Sequence, residues 1–130
     1  MKFRYKRYGS GVIRPVIPLK VAYGTKTIAQ EVLVDSGADV CLFDAEVGAS
    51  LGIPIESGEP CTFVGVNADL RPAYMHPITI ILGGWEYKMR AGFVPDFAPL
   101  YGIVGQMGFF QLFTVKFTYQ KEEIEIRRKD

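Results

Sequence analysis

The sequence contains few of the residues that build metal centres, disulfide frameworks or histidine-dependent active sites. It has two cysteines and one histidine among 130 residues. Cys41 and Cys61 are too few for a disulfide framework and lack the spacing of a metal site, which favours a reducing, cytoplasmic setting. Because His76 is the only histidine and no Gly-x-Ser-x-Gly motif is present, a serine–histidine nucleophile is disfavoured. We predict a protein that uses neither metal nor cofactor.

The sequence also lacks a strong charge bias and a long apolar run. Fifteen basic and fourteen acidic residues give a formal net charge of +1, which makes no case for a nucleic-acid partner. No apolar stretch is long enough to cross a bilayer, and the basic N-terminus is not followed by the apolar region of a signal peptide. We therefore expect a soluble, unprocessed chain with no membrane partner.

The residues that are abundant favour one folded domain built from short strands. Apolar residues make up 48% of the chain, and fourteen glycines and eight prolines are scattered along it. A chain of this length can bury one hydrophobic core but not two, so we assign residues 1–130 to a single domain. Apolar and polar residues alternate over 17–23, 85–93 and 113–119, which is typical of half-buried strands.

Turn and cap residues separate these strands. Gly24 is placed for a hairpin turn into a second strand over 28–34, and Gly83-Gly84 for another. Asp44 is placed to cap a short helix over 45–51. Residues 61–66 and 74–82 are predicted to be strands, with His76 at the start of the second. We expect a loop over 7–14 and assign Trp85 to the core.

The segment from Val32 to Asp39 is the best candidate for chemistry. Three β-favouring apolar residues, 32–34, predict a strand that is buried on both faces. Asp35 then places a carboxylate at the end of that strand, where water is scarce and backbone donors are close. Gly37 lets the main chain turn and lie open to a ligand.

Two separated motifs carry a family resemblance. Val34-Asp35-Ser36-Gly37-Ala38-Asp39 resembles the active-site signature of the retropepsins, the aspartic proteases of retroviral type. Gly102-Ile103-Val104-Gly105-Gln106, followed by Gly108-Phe109-Phe110, resembles the family's second glycine turn and its C-terminal helix. The resemblance implies an all-β, closed-barrel acid-protease fold: a single retropepsin-like lobe with a flap hairpin and one or two short helices.

The resemblance also implies a site and a partner. An aspartic protease needs two carboxylates in one site, and one chain supplies only Asp35. The resemblance therefore implies a homodimer that hydrolyses peptide or protein substrates with Asp35 from each copy. Ser36 and Gly37 would support the catalytic pair. The residues implied to contact substrate are Gly37, Ala38, Asp39 and Ile103, together with Gly65, Val66 and Asn67 of the flap.

A second interpretation remains open beside the protease. Gln106 stands where the retroviral sequences commonly have arginine, Met107-Gly108 adds a residue before the helix, and the flap has fewer glycines. These departures are compatible with a catalytically silent retropepsin-fold module that binds peptides or dimerises. The intact Asp35-Ser36-Gly37-Ala38 motif favours the protease, because a silent module needs no carboxylate at that turn.

Overall fold

The computed structural model describes residues 1–64 and 68–129, and most of that backbone is β-strand. The strands are β1 (Lys2–Arg4), β2 (Lys6–Arg7), β3 (Ile13–Arg14), β4 (Val16–Tyr23), β5 (Lys26–Val34), β6 (Leu42–Asp44), β7 (Glu59–Val64), β8 (Leu70–Leu82), β9 (Trp85–Val94), β10 (Gly102–Val104), β11 (Phe113–Thr118) and β12 (Glu123–Arg128). The α-helices are α1 (Ala45–Ser50) and α2 (Phe109–Leu112), and 3-10 turns cover Ile55–Ser57 and Tyr119–Lys121. The predicted all-β class with short helices is confirmed.

The largest sheet closes on itself. Its pairings run β4–β5–β10–β6–β9–β8, and β8 then pairs with β4 through Lys20–Ala22 against Thr79–Ile81. β7 lies outside this ring, paired along the first part of β8. Two of the pairings, β5 with β10 and β6 with β9, are parallel. The closed set of pairings agrees with the barrel that the family resemblance implies.

Aromatic side chains form a large part of the hydrophobic core. The Phe43 and Phe93 rings stack with their centroids 6.0 Å apart, and the Phe109 and Phe113 rings lie 4.8 Å apart. All four are among the largest fully buried side chains of the described residues. Burying one such side chain stabilises a fold by about 1.5–3 kcal/mol, so this cluster fixes α2 against the barrel.

A separate three-stranded antiparallel sheet has the order β1-β12-β11. Ile124 and Ile126 of its central strand are fully buried, and Phe113 of β11 is 1% exposed. Residues of one face of this sheet therefore belong to the same core as the barrel.

The local predictions for turns and caps are confirmed. Gly24 reverses the chain between β4 and β5 with a φ of +60°, a conformation that glycine adopts without strain. The Asp44 side chain accepts a 3.0 Å hydrogen bond from the Glu46 amide and caps α1. None of the helices in the described residues combines the length and apolarity needed to cross a membrane.

Three local predictions are wrong. Residues 7–14 are not a simple loop, because β2 pairs with β3 and glycines of positive φ reverse the chain between them. Trp85 is 64% exposed, because it is the first residue of β9 directly after the exposed Gly83-Gly84 turn. His76 lies within β8 rather than at its start, and it is buried with Nε2 2.7 Å from the Ile55 carbonyl oxygen.

Candidate active site

Asp35 follows the end of β5, beside the end of a parallel strand. β5 and β10 pair in register, with Val32 opposite Gly102 and Val34 opposite Val104. The Asp35 amide donates a 3.0 Å hydrogen bond to the Val104 carbonyl oxygen, which continues the ladder by one bond. The pairing brings two glycine turns, one after Val34 and one after Val104, to the same end of the barrel, although they are far apart in the sequence.

The turn after Asp35 is organised around its carboxylate. The Gly37 amide donates to Asp35 Oδ1 at 2.9 Å, and the Ala38 amide donates to the Asp35 carbonyl oxygen at 3.2 Å. A Cβ atom on Gly37 would lie 3.2 Å from the same Oδ1, so a side chain there would crowd the carboxylate. Asp35 is half-buried. Within the described chain its second oxygen, Oδ2, has no hydrogen-bond partner.

The second glycine turn holds the first one in place. The Gln106 amide donates to the Ala38 carbonyl oxygen at 2.8 Å, and the Met107 amide donates to that of Asp39 at 2.9 Å. The Gln106 side chain adds a 2.7 Å hydrogen bond from Nε2 to the Ser36 carbonyl oxygen. The turn from 35 to 39 is therefore fixed by the segment from 104 to 107 along its whole length.

Gly105 permits this close approach. A Cβ atom at position 105 would lie 2.4 Å from the Ala38 carbonyl oxygen and 2.7 Å from that of Val40. Both atoms are backbone, so neither can rotate away. The φ of Gly105 is not positive, and glycine is required here for space rather than for backbone conformation.

Cys41 lies beneath the two turns and joins them. Its Sγ accepts a 3.3 Å hydrogen bond from the Gly105 amide and donates one of 3.4 Å to the Met107 carbonyl oxygen. Burial raises the pKa of the Cys41 thiol, so it remains neutral over the physiological range. Its side chain thus serves as a small buried group with hydrogen bonds that the sequence does not reveal.

The predicted site residues fall into three groups. Asp35, Ser36, Gly37, Ala38 and Asp39 share one turn, in which Ser36, Gly37 and Asp39 are exposed. Ile103 is half-buried in β10 and lies opposite Leu33 and Leu42. The predicted flap residues Gly65, Val66 and Asn67 lie outside the described residues.

The strands on either side of those flap residues form a long hairpin. β7 pairs with the start of β8, from Val64 opposite Leu70 to Glu59 opposite Met75. Arg71 on this hairpin donates from Nη2 to the carbonyl oxygens of Pro95 and Asp96, at 2.9 and 3.2 Å. The role of Arg71 is not visible in the sequence, because nothing in its neighbourhood distinguishes it from a solvated charge.

No metal centre is visible at this turn. Within the described chain, no group of three His, Cys, Asp or Glu side chains is close enough to hold a metal ion. The chemistry available at the turn is that of the half-buried Asp35 carboxylate, the exposed Asp39 carboxylate, the Ser36 hydroxyl and open backbone groups.

Comparisons with solved structures identify the architecture. The chain aligns with a retropepsin-like aspartic protease from Rickettsia conorii at a TM-score of 0.67, with 16% identity over 95% of this chain and 88% of that one. The retroviral protease-like domain of Ddi1 from Leishmania major gives a TM-score of 0.63, with 15% identity over 87% of each chain. The fold is that of the retropepsin-like aspartic proteases.

The viral protease of EIAV, solved with an inhibitor, shares the retropepsin-like fold. It gives a TM-score of 0.56, with 22% identity over 78% of this chain and 88% of that one. No family model matches the sequence, and no curated protein matches it. At these identities the similarity to retropepsin-like proteases establishes the fold alone.

Proposed function

We propose that the protein is an aspartic endopeptidase whose active site forms when two copies bring their Asp35 carboxylates together. The observation that supports the proposal is how the Asp35 carboxylate is held. One carboxylate oxygen is held by the Gly37 amide at 2.9 Å, and the turn that presents it is fixed by a second glycine turn on a retropepsin-like fold. A rigid, half-buried carboxylate at an exposed turn is suited to chemistry with a ligand.

The pair of carboxylates would act on a water molecule. Two carboxylates about 3 Å apart hold one proton between them, because both cannot be ionised at that distance. The ionised group takes a proton from the water that attacks the carbonyl carbon, and the protonated group donates to the carbonyl oxygen. When the tetrahedral intermediate collapses, the C–N bond breaks and the leaving nitrogen takes a proton from the pair. Acid–base help of this kind contributes about 10²–10⁴ in rate.

The surrounding residues have roles that fit an extended peptide. Ser36 would brace the pair through its exposed hydroxyl, and Gly37, Ala38 and Asp39 would contact the substrate main chain. Ile103 would line the apolar wall beside them. The hairpin of β7 and β8 would place Gly65, Val66 and Asn67 over the substrate as a flap, adding strand-like hydrogen bonds.

Both cysteines of the described chain are free thiols, which agrees with a reducing cytoplasm as the site of action. We extend the proposal to that compartment.

The test is cleavage of a peptide library at mildly acidic pH by the wild type and by Asp35→Asn. The substitution keeps the shape of the side chain and, because each copy of the dimer carries it, removes both ionisable groups of the pair. We expect cleavage by the wild type, a bell-shaped pH profile and no cleavage by Asp35→Asn. Asp44→Asn is the matched control, because asparagine also caps helices and Asp44 lies at α1.

Two results would contradict the proposal. One is equal cleavage by the wild type and Asp35→Asn, which would place the activity elsewhere. The other is a wild type that is dimeric by sedimentation and binds library peptides without cleaving them. That second result would establish the silent peptide-binding module instead.

A further inference from the structure

We propose that the free edge of β9, centred on Lys88, binds an extended acidic peptide as an additional antiparallel strand. The peptide would lie in the cleft between that edge and α2, with acidic side chains opposite Lys88 and Arg90. The site does not use Asp35, so the inference does not depend on the proposed peptidase activity.

The free edge of β9 is defined by the direction of its backbone groups, which point alternately to the two sides of the strand. The Gly92 amide donates to the Cys41 carbonyl oxygen at 2.8 Å, on the side away from β8. The backbone groups of Glu86, Lys88 and Arg90 therefore point to that side as well. In the described chain, β6 pairs with β9 only from Gly92 onward, and no other strand pairs with this side of β9. We call the outward groups of these three residues the β9 edge.

An open cleft of about 410 Å³ borders the β9 edge and separates it from α2. Volumes of about 300–1,000 Å³ are typical of ligand sites. At one end, Gly108 approaches the strand so closely that a Cβ atom there would lie 3.2 Å from the Arg90 carbonyl oxygen. Beyond this end the cleft leaves room beside Lys88. Its apolar lining consists of Met75, Pro77, Met89, Met107 and Leu112.

Two basic side chains set the charge of the site. Lys88 and Arg90 are both exposed and line the cleft. Within the described residues Lys88 has no ion-pair partner, and Arg90 has only Glu59, at 3.4 Å. An exposed pair of this kind contributes little, so a peptide carboxylate can replace Glu59. Because residues opposite each other in an antiparallel pair project from the same face, acidic residues are favoured opposite Lys88 and Arg90, and a basic residue opposite Glu86.

The other face of the bound strand would be apolar. Peptide residues between the charged ones project from the opposite face, toward Met89, Met107 and Leu112. Met107 is 59% exposed, and methionine side chains adapt to apolar groups of different shapes. Main-chain bonds would supply affinity and these side chains selectivity, which is the usual division when a peptide extends a sheet.

A second copy of the chain is a less suitable occupant of the cleft. Two-fold pairing centred on Lys88 would place the two Lys88 side chains opposite each other. Pairing centred on Met89 would place Lys88 opposite the partner's Arg90. Both arrangements bring like charges together, which is unfavourable.

The first test compares two peptides of the same composition. The probe is fluorescent Glu-Val-Glu-Val-Lys, which places its glutamates opposite Arg90 and Lys88 and its lysine opposite Glu86. The control is the reversed peptide, Lys-Val-Glu-Val-Glu, with the same net charge. Binding is measured by fluorescence anisotropy with Asp35→Asn, so that the proposed peptidase activity does not consume the probe. We expect the probe to bind about threefold or more tightly than the control, and equal affinities would overturn the inference.

The second test examines the main-chain bonds without altering the protein. In the proposed pairing, the amides of the charged peptide residues point toward β9 and those of the valines point away. N-methylation of the central glutamate should raise the dissociation constant about three- to tenfold, from one lost hydrogen bond. N-methylation of a valine is the control and should have little effect. Equal effects at the two positions would overturn the strand pairing.

The third test changes the protein at the cleft. Lys88→Glu should raise the dissociation constant of the probe about threefold or more, because it places two carboxylates opposite each other. Lys26→Glu makes the same change of net charge at an exposed lysine outside the cleft. Equal dissociation constants for the two variants would show that only net charge matters and would overturn the inference.

Amide hydrogen exchange locates the bound peptide. The probe should slow exchange of the Lys88 amide and leave that of Met89 unchanged, because Met89 already pairs with Ile78 of β8. Protection confined to the Asp35 turn would place the peptide in the proposed active site instead and overturn the inference. Slow exchange at Lys88 without peptide, in a protein that is dimeric by sedimentation, would identify a second copy as the occupant and would also overturn it.

Discussion

The side-chain amide of Gln106 donates a 2.7 Å hydrogen bond to the carbonyl oxygen of Ser36, across 70 residues of sequence. Gln106 stands where the retroviral pattern commonly has arginine. In the sequence this departure is compatible with a catalytically silent module. In the structure the glutamine ties the second glycine turn to the residue after Asp35. The departure from the viral pattern therefore does not leave the turn unsupported.

Gln106→Ala should weaken the Asp35 turn. The loss of one hydrogen bond should lower the free energy of unfolding by about 0.5–1.5 kcal/mol. Urea unfolding of the variant and the wild type measures this difference. Gln106→Glu should cost more, because a carboxylate cannot donate to the Ser36 carbonyl oxygen. Gln30→Ala is the control, since the exposed Gln30 side-chain amide donates to the carbonyl oxygen of the adjacent residue, Ala29. Equal stabilities for Gln106→Ala and Gln30→Ala would show that the hydrogen bond from Gln106 to Ser36 does not stabilise the fold.

Gly105→Ala should destabilise the protein by about 1–3 kcal/mol, the usual range for overpacking. The added Cβ would meet two backbone carbonyl oxygens, at 2.4 and 2.7 Å. Gly24→Ala provides the comparison: its φ is +60°, but no atom lies within 4 Å of the added Cβ. Thermal and urea unfolding should rank Gly105→Ala as the more damaging. The opposite order would mean that the two turns separate easily.

Arg71→Met should loosen the loop that follows β9. The substitution removes hydrogen bonds to the carbonyl oxygens of Pro95 and Asp96 while keeping the apolar stem. We expect an added protease to cleave within 95–99 severalfold faster, because it cuts the locally opened form of the loop. In Arg90→Met, the control, the lost partner is Glu59 at 3.4 Å, in an exposed pair of the kind that contributes little. An unchanged cleavage rate in Arg71→Met would contradict the proposed restraint.

The two cysteines should differ in reactivity. Cys41 is fully buried and Cys61 is half-buried, so native protein should take up one equivalent of an alkylating reagent, at Cys61. Cys61→Ser should take up none until it is unfolded. Rapid labelling of native Cys61→Ser would show that the Cys41 thiol is accessible.

The raised pKa of the Cys41 thiol has a consequence at alkaline pH. In the unfolded chain the thiol ionises near its ordinary pKa of about 8.5, while in the folded chain it keeps its proton. Folding then becomes less favourable as the pH rises above that value, because the unfolded state binds fewer protons. The wild type should lose more stability than Cys41→Ala between about pH 8 and pH 10. Parallel stability curves would contradict the shift.

Local structure and the motif segments could be predicted from the sequence. Alternation of apolar residues and the turn at Gly24 define the hairpin that leads to Asp35, and Asp44 marks the start of α1. These features depend on neighbouring residues, which a sequence displays directly. The family resemblance identified both glycine turns, but the juxtaposition of Asp35 and Val104 was not predicted, since periodicity within each strand cannot say which strands become neighbours.

The remaining features depend on contacts between distant residues. The closure of β4 on β8, the bond from Gln106 to Ser36 and the anchoring of Arg71 each join segments that the sequence separates widely. Trp85 was misassigned for a related reason: its apolar character is visible in the sequence, but its position at the exposed end of a hairpin is not.

The hydrogen bond from the Asp35 amide to the Val104 carbonyl oxygen also fixes when the site can form. During synthesis Asp35 leaves the ribosome long before Val104 has been added to the chain. Until then the turn lacks the acceptor for its first amide and the segment 104–107 that holds it. A nascent chain that ends before Val104 therefore cannot present the carboxylate in its final geometry, and assembly of the turn has to follow synthesis of most of the domain.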